Sequence, residues 1–451
     1  MSDTPTAALE IAKYLAQRSR PQSLGAIADG MEFGTIHRTT LWRWMKSAQE
    51  LGLVEMQGDR KATTWQASEE LRKQALKEQV NEPLTKRPRV PYQEGFLEEY
   101  EPNKSFYLDK KSLDRLHRQC AVGSAEFSSL TPRDQSLFLC GFSYASSSLE
   151  GNQYDLIATE KLLLEGLEKE GASPEETTMV LNQHESVRYL IDNIHFPSRR
   201  NDIQVNARDI KSIHGLLSTN LLKNPAMCGA VRHSSVKIKG SSYIPLSVHE
   251  VLERALSTIC RKATQIEDPY EQSFFLLVHL PYLQPFEDCN KRTSRVSCNI
   301  PLLRNGIVPM SWFDVSHIDY NTGLIGVYER NNTSLLSEVF VDGFMNSTAR
   351  FEIMQRSAIP NEVQIRYRKA TKQMVRAIVL DGDTSTPDDV DPQDWEPFRV
   401  HVEQELDLLR GGNIGAVVRH GLREGDVSQW LQDSDGADPE TARRGRTDRE
   451  G

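Results

Sequence analysis

One stretch of this chain constrains its fold more than any other, because it places charged and amide side chains between two apolar runs. It spans residues 284–295 and reads Gln-Pro-Phe-Glu-Asp-Cys-Asn-Lys-Arg-Thr-Ser-Arg. Upstream, Phe274 to Leu283 has the composition of a buried helix; downstream, apolar residues recur at spacings of four and three from Val296. This pattern predicts a second helix that begins near Asn290. The stretch is therefore predicted to be a loop that leads into a helix N-terminus.

The loop has the chemistry of a phosphate and metal site. Free backbone N–H groups and the dipole at a helix N-terminus attract anions. Lys291 and Arg292 place positive charge at that end, where it opposes the dipole, and a bound anion would remove the conflict. Asp288 offers the hard oxygen ligand that a Mg²⁺ ion bridging phosphates needs. A capped helix start with solvated charges is the alternative that these residues alone leave open.

The same stretch resembles the motif of the Fic family, which is written His, any residue, Phe, any residue, Asp or Glu, Gly, Asn, Gly or Lys, Arg, two residues of any kind, Arg. The positions that agree with it are Phe286, Asp288, Asn290, Lys291, Arg292 and Arg295. The resemblance implies that Asp288 holds Mg²⁺ and that the loop binds ATP. The nucleotide-binding residues it implies are Asn290, Lys291, Arg292 and Arg295. Fic enzymes typically move AMP from ATP onto a Ser, Thr or Tyr hydroxyl of another protein.

The motif is broken at its catalytic position. Gln284 stands where the family has the His that takes a proton from the target hydroxyl, and Cys289 replaces the first Gly. A neutral amide has no usable basic site, and general-base assistance is worth roughly two to four powers of ten in rate. We therefore expect nucleotide binding to survive and AMP transfer to be weak or lost. His279, the nearest imidazole in the sequence, is expected to be a core histidine.

A second stretch, residues 146–152, resembles the inhibitory motif of the family. It reads Ser-Ser-Ser-Leu-Glu-Gly-Asn, with Glu150 at the acidic position. The resemblance implies that Glu150 pairs with Arg295 and keeps the γ-phosphate of ATP from seating productively. Without the resemblance, a Glu before a Gly is an ordinary helix end.

Composition is that of a globular chain, with 38% hydrophobic and 8% aromatic residues. No apolar run is long enough to span a bilayer and the N-terminus lacks a signal-peptide core, so we expect a cytoplasmic protein with no membrane partner. The six cysteines show no spacing typical of a metal site and are expected to be reduced thiols. Cys289, in the predicted loop, is the one expected to react with an oxidant. The net charge of the chain is −9, and residues 381–451, with 18 acidic and 8 basic side chains, have a net charge of −10, so the acidity belongs to this region.

Residues 1–68 are predicted to form a winged helix-turn-helix domain, because three short helical patterns precede two alternating segments around a basic tip at 58–61. The third helix, His37 to Leu51, turns a basic face outward. We expect residues 37–66 to bind DNA, with direct contacts from Arg38, Thr39, Arg43 and Lys46. A winged-helix fold used for protein contact or dimer formation is the alternative, since the fold alone does not imply DNA.

The remaining domains follow from composition and from the resemblance. Residues 69–104 read as a helix and an extended linker, and residues 105–350 as a helical Fic domain, within which Ser247 and Glu250 predict a capping box. Residues 236–244 alternate in period two about a Gly, which predicts a β-hairpin. The resemblance implies that this segment, the flap, aligns a protein target. A helical region is expected at 351–432 and a disordered tail at 433–451.

These observations predict a mainly α protein: a Fic-type helical bundle with a small β-hairpin flap, preceded by a winged helix-turn-helix and followed by a helical region. We interpret it as a regulator that binds ATP with Mg²⁺ and DNA and transfers AMP weakly or not at all. The alternative is an active protein adenylyltransferase that Glu150 inhibits. A toxin-like or phosphate-transferring relative fits less well, because those branches also need the motif His. Helix-turn-helix proteins often pair on two half-sites, so the interpretation allows a homodimer.

Overall fold

A computed structural model of the protein describes residues 4–18, 20–31, 36–58, 63–120, 130, 132–195, 205–356, 366–385, 387, 389–411 and 414–435. These residues are mainly α-helical, as predicted, with short strands in two sheets. The chain divides into two compact units, Met1–Arg356 and Ser357–Gly451. The predicted wing tip at 59–61 and the tail from residue 436 lie outside the described residues.

The first elements of the chain are three helices and a small antiparallel sheet. The helices are α1 Thr4–Ala16, α2 Leu24–Gly30 and α3 Arg38–Glu50. The strands are β1 Gln22–Ser23, β2 Val54–Gln57 and β3 Thr64–Ala67, in the order β1-β3-β2. Ser23 caps α2 by accepting a hydrogen bond from the N–H of Ala26. Trp65 of β3 and Met45 of α3 are fully buried in the shared apolar core of these elements.

The segment predicted as a linker begins with a helix, as expected, and then packs into the main core. It contains α4 Glu69–Asn81, the strand β4 Val90–Pro91 and the short helix α5 Gly95–Glu98. Leu97 and Tyr100 are 3% exposed within that core. The ammonium group of Lys262 donates to the backbone carbonyls of Leu97, Glu98 and Tyr100. Residues 95–100 therefore differ from the extended, solvated connector predicted from their charge and proline content.

The larger unit continues as a helical bundle. Its remaining described helices are α6 Lys110–Cys120, α7 Pro132–Ser148, α8 Leu156–Glu160 with a wider turn at Lys161–Glu165, α9 Pro174–His195, α10 Ala207–Ser218, α11 His249–Gln265, α12 Pro269–Leu283, α13 Asn290–Ser297, α14 Asn299–Arg304, α15 His317–Arg330 and α16 Ser334–Arg356. No described helix is both long enough and apolar enough to cross a bilayer.

Helix α12 lies at the centre of this bundle, and every residue from Tyr270 to Leu283 is buried. Its first turn is fixed by Asp268, whose carboxylate accepts hydrogen bonds from the N–H groups of Tyr270 and Glu271. The buried carboxylate of Glu271 in turn accepts hydrogen bonds from the Tyr100 hydroxyl and from the N–H of Leu108. The position of the loop that follows α12 is therefore set by the core.

Two local predictions are wrong. The flap segment 236–244 does not form a hairpin; its described strand, β5 Tyr243–Ile244, pairs in parallel with β4 instead. The alternating pattern marks one strand, but its partner lies some 150 residues away in sequence. The capping box is also absent from α11, because Val248 rather than Ser247 occupies the cap position and makes no side-chain cap hydrogen bond.

The second unit contains four described helices. They are α17 Arg368–Asp381, α18 Trp395–Arg410, α19 Ile414–Arg419 and α20 Glu424–Asp435. Val375, Phe398 and Leu409 are fully buried in its own apolar core. Residues 368–432 are thus largely helical, as the sequence predicts.

Candidate functional site

The predicted loop lies between α12 and α13. We call residues 284–289 the cradle loop. It begins at Gln284 and ends at Cys289, and both residues have left-handed backbone conformations with φ of 51° and 59°. These two turns reverse the chain so that α13 starts at Asn290. Cys289 makes no side-chain cap hydrogen bond, so the first N–H groups of α13 lack a side-chain cap.

The side chain of Asn290 holds the cradle loop closed on itself. Its Oδ1 accepts a hydrogen bond from the N–H of Phe286, and its Nδ2 donates to the carbonyl of the same residue, each at 2.9 Å. Nδ2 also donates to Oε1 of Gln284 at 3.0 Å. Asn290 was predicted to bind nucleotide, and the structure places its side chain as a brace within the loop.

Arg232 joins the cradle loop to the flap segment. The side chain is fully buried, and burial lowers its pKa. Its Nε donates to the backbone carbonyl of Gln284 at 2.7 Å, while its two terminal nitrogens donate to the carbonyls of Ser234 and Leu246. One buried guanidinium therefore connects the backbone of Gln284 to the residues on either side of the flap segment.

Arg292 is a buried cation with one guanidinium nitrogen that has no hydrogen-bond partner among the described residues. Its side chain is almost completely buried, with the residue 4% exposed. Its Nη2 donates to the sulfur of Cys289, whereas Nη1 has no hydrogen-bond partner within the described part of the chain. A buried guanidinium nitrogen without a partner is costly, so this edge of Arg292 fits a phosphate oxygen.

Asp288 fits the metal that such phosphates carry. Its carboxylate is exposed beside the N-terminus of α13. Among the described residues, no group of three or more His, Cys, Asp or Glu side chains is gathered to hold a metal ion. Mg²⁺ is commonly held by one or two carboxylates together with phosphates and water. Asp288 would thus hold Mg²⁺ in company with a nucleotide, and not as part of a metal cage built from protein ligands.

Glu150 occupies the cationic end of the site. Its Oε1 lies 2.8 Å from Nη2 of Arg295, and its Oε2 lies 2.8 Å from Nζ of Lys291. Burial alone would raise the pKa of Glu150, but the charges of Arg295 and Lys291 outweigh it and lower the pKa to about 2. The carboxylate is therefore ionised at any physiological pH.

Arg295 has no polar edge left open. The fully buried guanidinium donates through Nε to the hydroxyl of Ser146, and through Nη2 to the carbonyl of Ser146 and to Glu150. Nη1 donates to the hydroxyl of Tyr320 at 3.2 Å. Of the predicted nucleotide-binding side chains, Lys291 and Arg295 thus form ion pairs with Glu150, whereas Arg292 does not.

The catalytic position holds an amide that is fixed in place. Gln284 is 7% exposed, and its Nε2 donates to the carbonyl of Pro281 at 2.7 Å. His279 is no substitute base: its Nε2 is hydrogen-bonded to the hydroxyl of Tyr107, and burial lowers its pKa to about 3. It is a core histidine, as expected.

Cys289 differs from the expected oxidant-sensitive thiol. It is 3% exposed, and burial raises the pKa of its thiol to about 12. Thiols react with oxidants as thiolates, so Cys289 is poorly suited to that reaction. Its left-handed backbone also explains why the family motif has Gly here, since a side chain at such a φ costs roughly 1–2 kcal/mol.

Sequence reasoning missed His214, Ser146 and Tyr320. His214 of α10 is fully buried and stacks on Phe286, with ring centroids 3.8 Å apart and planes within 5°. Ser146 was part of the inhibitory motif, but no role was predicted for its hydroxyl. No spacing signal links His214 to the cradle loop, or Ser146 and Tyr320 to Arg295, because only the tertiary fold brings them together.

The predicted DNA-contacting residues lie on one exposed side of α3. Arg38, Thr39 and Arg43 are exposed, and Lys46 is half-buried. The ammonium of Lys46 lies 5.5 Å from the ring centroid of Trp42, which is 41% exposed. The face therefore combines cations with an accessible aromatic ring.

The cradle loop lies within a stretch of the chain that matches a known protein family. Residues 204–302 match the Fic/DOC family. The chain is 26% identical over 170 residues to "Protein adenylyltransferase fic-1" of Caenorhabditis elegans, an overlap of 37% of this chain and 32% of the relative. It is 28% identical over 171 residues to "Protein adenylyltransferase Fic" of Nematostella vectensis, covering 37% of this chain and 38% of the relative. The chain thus spans about a third of the length of these curated relatives.

Solved structures give lower similarity. "Fic-1 (aa134 - 508) from C. elegans" aligns with a TM-score of 0.48 and 18% identity, covering 78% of this chain and all of that one. A Fic family protein from Desulfovibrio desulfuricans G20 aligns with a TM-score of 0.46 and 15% identity, covering 71% of this chain and 91% of that one. Residues 204–302, the stretch that matches the Fic/DOC family, include the cradle loop and α13.

Proposed function

We propose that the Fic/DOC domain binds ATP and transfers AMP from it to a hydroxyl group of a protein, and that Glu150 inhibits this reaction. The observation that carries the proposal is the pair of 2.8 Å contacts from Glu150 to Arg295 and Lys291, beside the unpartnered guanidinium edge of Arg292. The curated relatives are named protein adenylyltransferases, which favours AMP transfer over a regulator that has lost it.

In this proposal each side chain of the site has a distinct role. Arg292 and the first N–H groups of α13 bind phosphate oxygens, and Asp288 holds Mg²⁺, which neutralises phosphate charge when bound. Arg295 cannot accept the terminal phosphate until Glu150 leaves it. Gln284 can orient a hydroxyl through its amide but cannot take its proton. As the hydroxyl oxygen bonds to the α-phosphate, the bond to pyrophosphate breaks and pyrophosphate leaves; the hydroxyl proton must pass to solvent, so the reaction is slow.

Transfer of radiolabel from α-labelled ATP to protein tests the proposal. The wild-type chain and its Glu150→Gly variant are incubated with labelled ATP and Mg²⁺, alone and with extract proteins. We expect Glu150→Gly to label itself or a target, and the further change Asp288→Ala to abolish the labelling. Absence of label from Glu150→Gly, together with labelling once Gln284→His is added, would show that this chain binds nucleotide without transferring AMP.

The second candidate function is a nucleotide-binding regulator that acts on DNA. Two observations favour it: the amide at position 284 and the exposed basic face of α3. Arg38 and Arg43 on that face suit phosphate or base-edge contacts in a major groove. Binding of the full chain to genomic DNA fragments at several salt concentrations tests this function. If the chain binds DNA and Arg43 contacts a phosphate, Arg43→Ala should reduce the slope of log affinity against log salt concentration by about one. Unchanged DNA binding by Arg43→Ala would exclude α3 as the interface.

A further inference from the structure

His214 lies beneath the cradle loop, at a place that no predicted role explains. It belongs to α10, is fully buried, and its ring lies flat against Phe286 of the cradle loop. This contact fixes where the imidazole edge points, because a stacked ring cannot turn without losing the packing. His214 is therefore held against the loop that carries Asp288.

The hydrogen bonds of the ring define its tautomer. Nδ1 accepts a hydrogen bond from the N–H of Gly229 at 3.0 Å, so in the neutral ring the proton resides on Nε2. Gly229 has a φ of +81°, and a Cβ there would lie 3.0 Å from the carbonyl oxygen of Lys211. A glycine is needed at this position to bring the N–H group so close to α10.

The N–H on Nε2 belongs to the ring that packs against Phe286 of the cradle loop. Nε2 is buried and makes no hydrogen bond to the described residues that meets normal geometry. Burial lowers the pKa of His214 to about 4, and the backbone of Asp288 acts in the opposite direction, as an acceptor near Nε2 would. A buried donor without an acceptor is costly, so a shift of the cradle loop that brings the Asp288 carbonyl to Nε2 would be favourable.

We propose that His214 is a positioning residue: its Nε2–H binds the backbone carbonyl of Asp288 and thereby places the Asp288 carboxylate to hold Mg²⁺ with ATP. This rests on the proposed nucleotide site. The His214 side chain does not touch the nucleotide and takes no proton; it acts through the residue it orients. Groups that orient metal ligands in this way typically change metal affinity about 10- to 100-fold when removed.

The test uses full-length protein with Glu150→Gly as the parent, so that the site is open. His214→Phe keeps an aromatic ring against Phe286 and removes both nitrogens, whereas His214→Gln keeps an N–H donor. His279→Phe is the matched control, because His279 is a buried histidine of the same core that is bonded to Tyr107 instead. ATP affinity is measured by titration calorimetry with Mg²⁺ and with EDTA, and thermal unfolding checks each fold.

We expect His214→Phe to weaken ATP binding about tenfold in Mg²⁺ and to leave binding in EDTA unchanged. His214→Gln should recover most of the loss, and His279→Phe should change neither affinity. Equal losses with and without Mg²⁺ would show a purely structural role and overturn the proposal. If the parent binds no ATP under either condition, the proposed function fails, and ¹⁵N NMR of His214 decides the inference separately. A proton on Nε2 whose signal moves on adding Mg²⁺ supports it; a proton on Nδ1, or no change, overturns it.

Discussion

The carboxylate of Glu150 and the guanidinium of Arg295 form a 2.8 Å ion pair that joins the turn after α7 to the last turn of α13. The guanidinium is fully buried and the carboxylate side chain is 16% exposed. A pair so poorly solvated is costly to break by removing one partner, since it leaves a buried charge. The two proposed states of the site therefore differ in which anion, carboxylate or phosphate, Arg295 holds.

Changing Asp288 and Arg292 should separate metal binding from phosphate binding. In the Glu150→Gly background, Asp288→Ala should weaken ATP binding in Mg²⁺ and not in EDTA, because it removes a metal ligand. Arg292→Ala should weaken ATP binding about tenfold or more under both conditions, because it removes a charge-assisted hydrogen bond. Titration calorimetry measures both affinities. Arg304→Ala, which removes an exposed cation outside the loop, is the control and should change nothing.

Restoring the motif base should raise the rate of AMP transfer. In the Glu150→Gly background, Gln284→His supplies a group that can take the hydroxyl proton, and we expect a gain of roughly two to four powers of ten. The rate is followed as label transferred from α-labelled ATP per minute. Gln284→Asn is the matched control and should stay slow. An unchanged rate with His at position 284 would mean that another step or another base limits the reaction.

The Glu150 ion pair should withstand acid. The folded-state pKa of Glu150 is lowered from 4.5 to about 2 by Arg295 and Lys291 against the effect of burial. A depressed pKa means that the pair contributes stability above pH 4.5 and loses it as the pH falls toward 2. The difference in melting temperature between wild type and Glu150→Gln should therefore be constant from about pH 5 to pH 8 and shrink below about pH 4. A difference that already shrinks at neutral pH would contradict this placement of Glu150.

The buried carboxylate of Glu271 should matter for stability and not for nucleotide affinity. Glu271→Ala leaves the Tyr100 hydroxyl and the N–H groups of Tyr107 and Leu108 without their acceptor. Buried donors without acceptors cost about 1–3 kcal/mol each, so we expect a loss of about 3 kcal/mol in the free energy of unfolding. Urea unfolding measures it, and Glu267→Ala, at an exposed position, is the control. A loss no greater than that of the control would show that the segment before α6 is not anchored by Glu271.

Periodicity alone located the elements that build the site. The predicted end of α12 at Leu283 and start of α13 near Asn290 agree with the observed bounds, because both helices bury strongly patterned faces in the core. The contact between Glu150 and Arg295 was reached through the family resemblance, since nothing in the spacing of residues 150 and 295 predicts it. Physical reasoning on the residues predicts an anion site, and the family resemblance predicts that Glu150 pairs with Arg295.

The flap and linker errors share one cause, which is that the residues these segments pair with lie far away in the sequence. The alternating pattern of the flap segment predicts a hairpin because local sequence carries no sign of pairing with β4. The segment around Tyr100 is predicted to be a linker because its buried contacts come from Lys262 and Glu271, which are distant in sequence. The contact between His214 and Phe286 is likewise not predictable from local sequence, because the two residues are brought together only in the folded chain. Local charge and proline content therefore do not indicate which distant residues a segment packs against.

Titration calorimetry of ATP with Mg²⁺ into wild type, Glu150→Gln and Glu150→Gly tests the central claim most directly. If Glu150 competes with phosphate for Arg295 and Lys291, affinity should rise in that order, by about tenfold or more overall. Equal affinities for the three proteins, or no binding heat from Glu150→Gly at high micromolar concentration, would contradict the account.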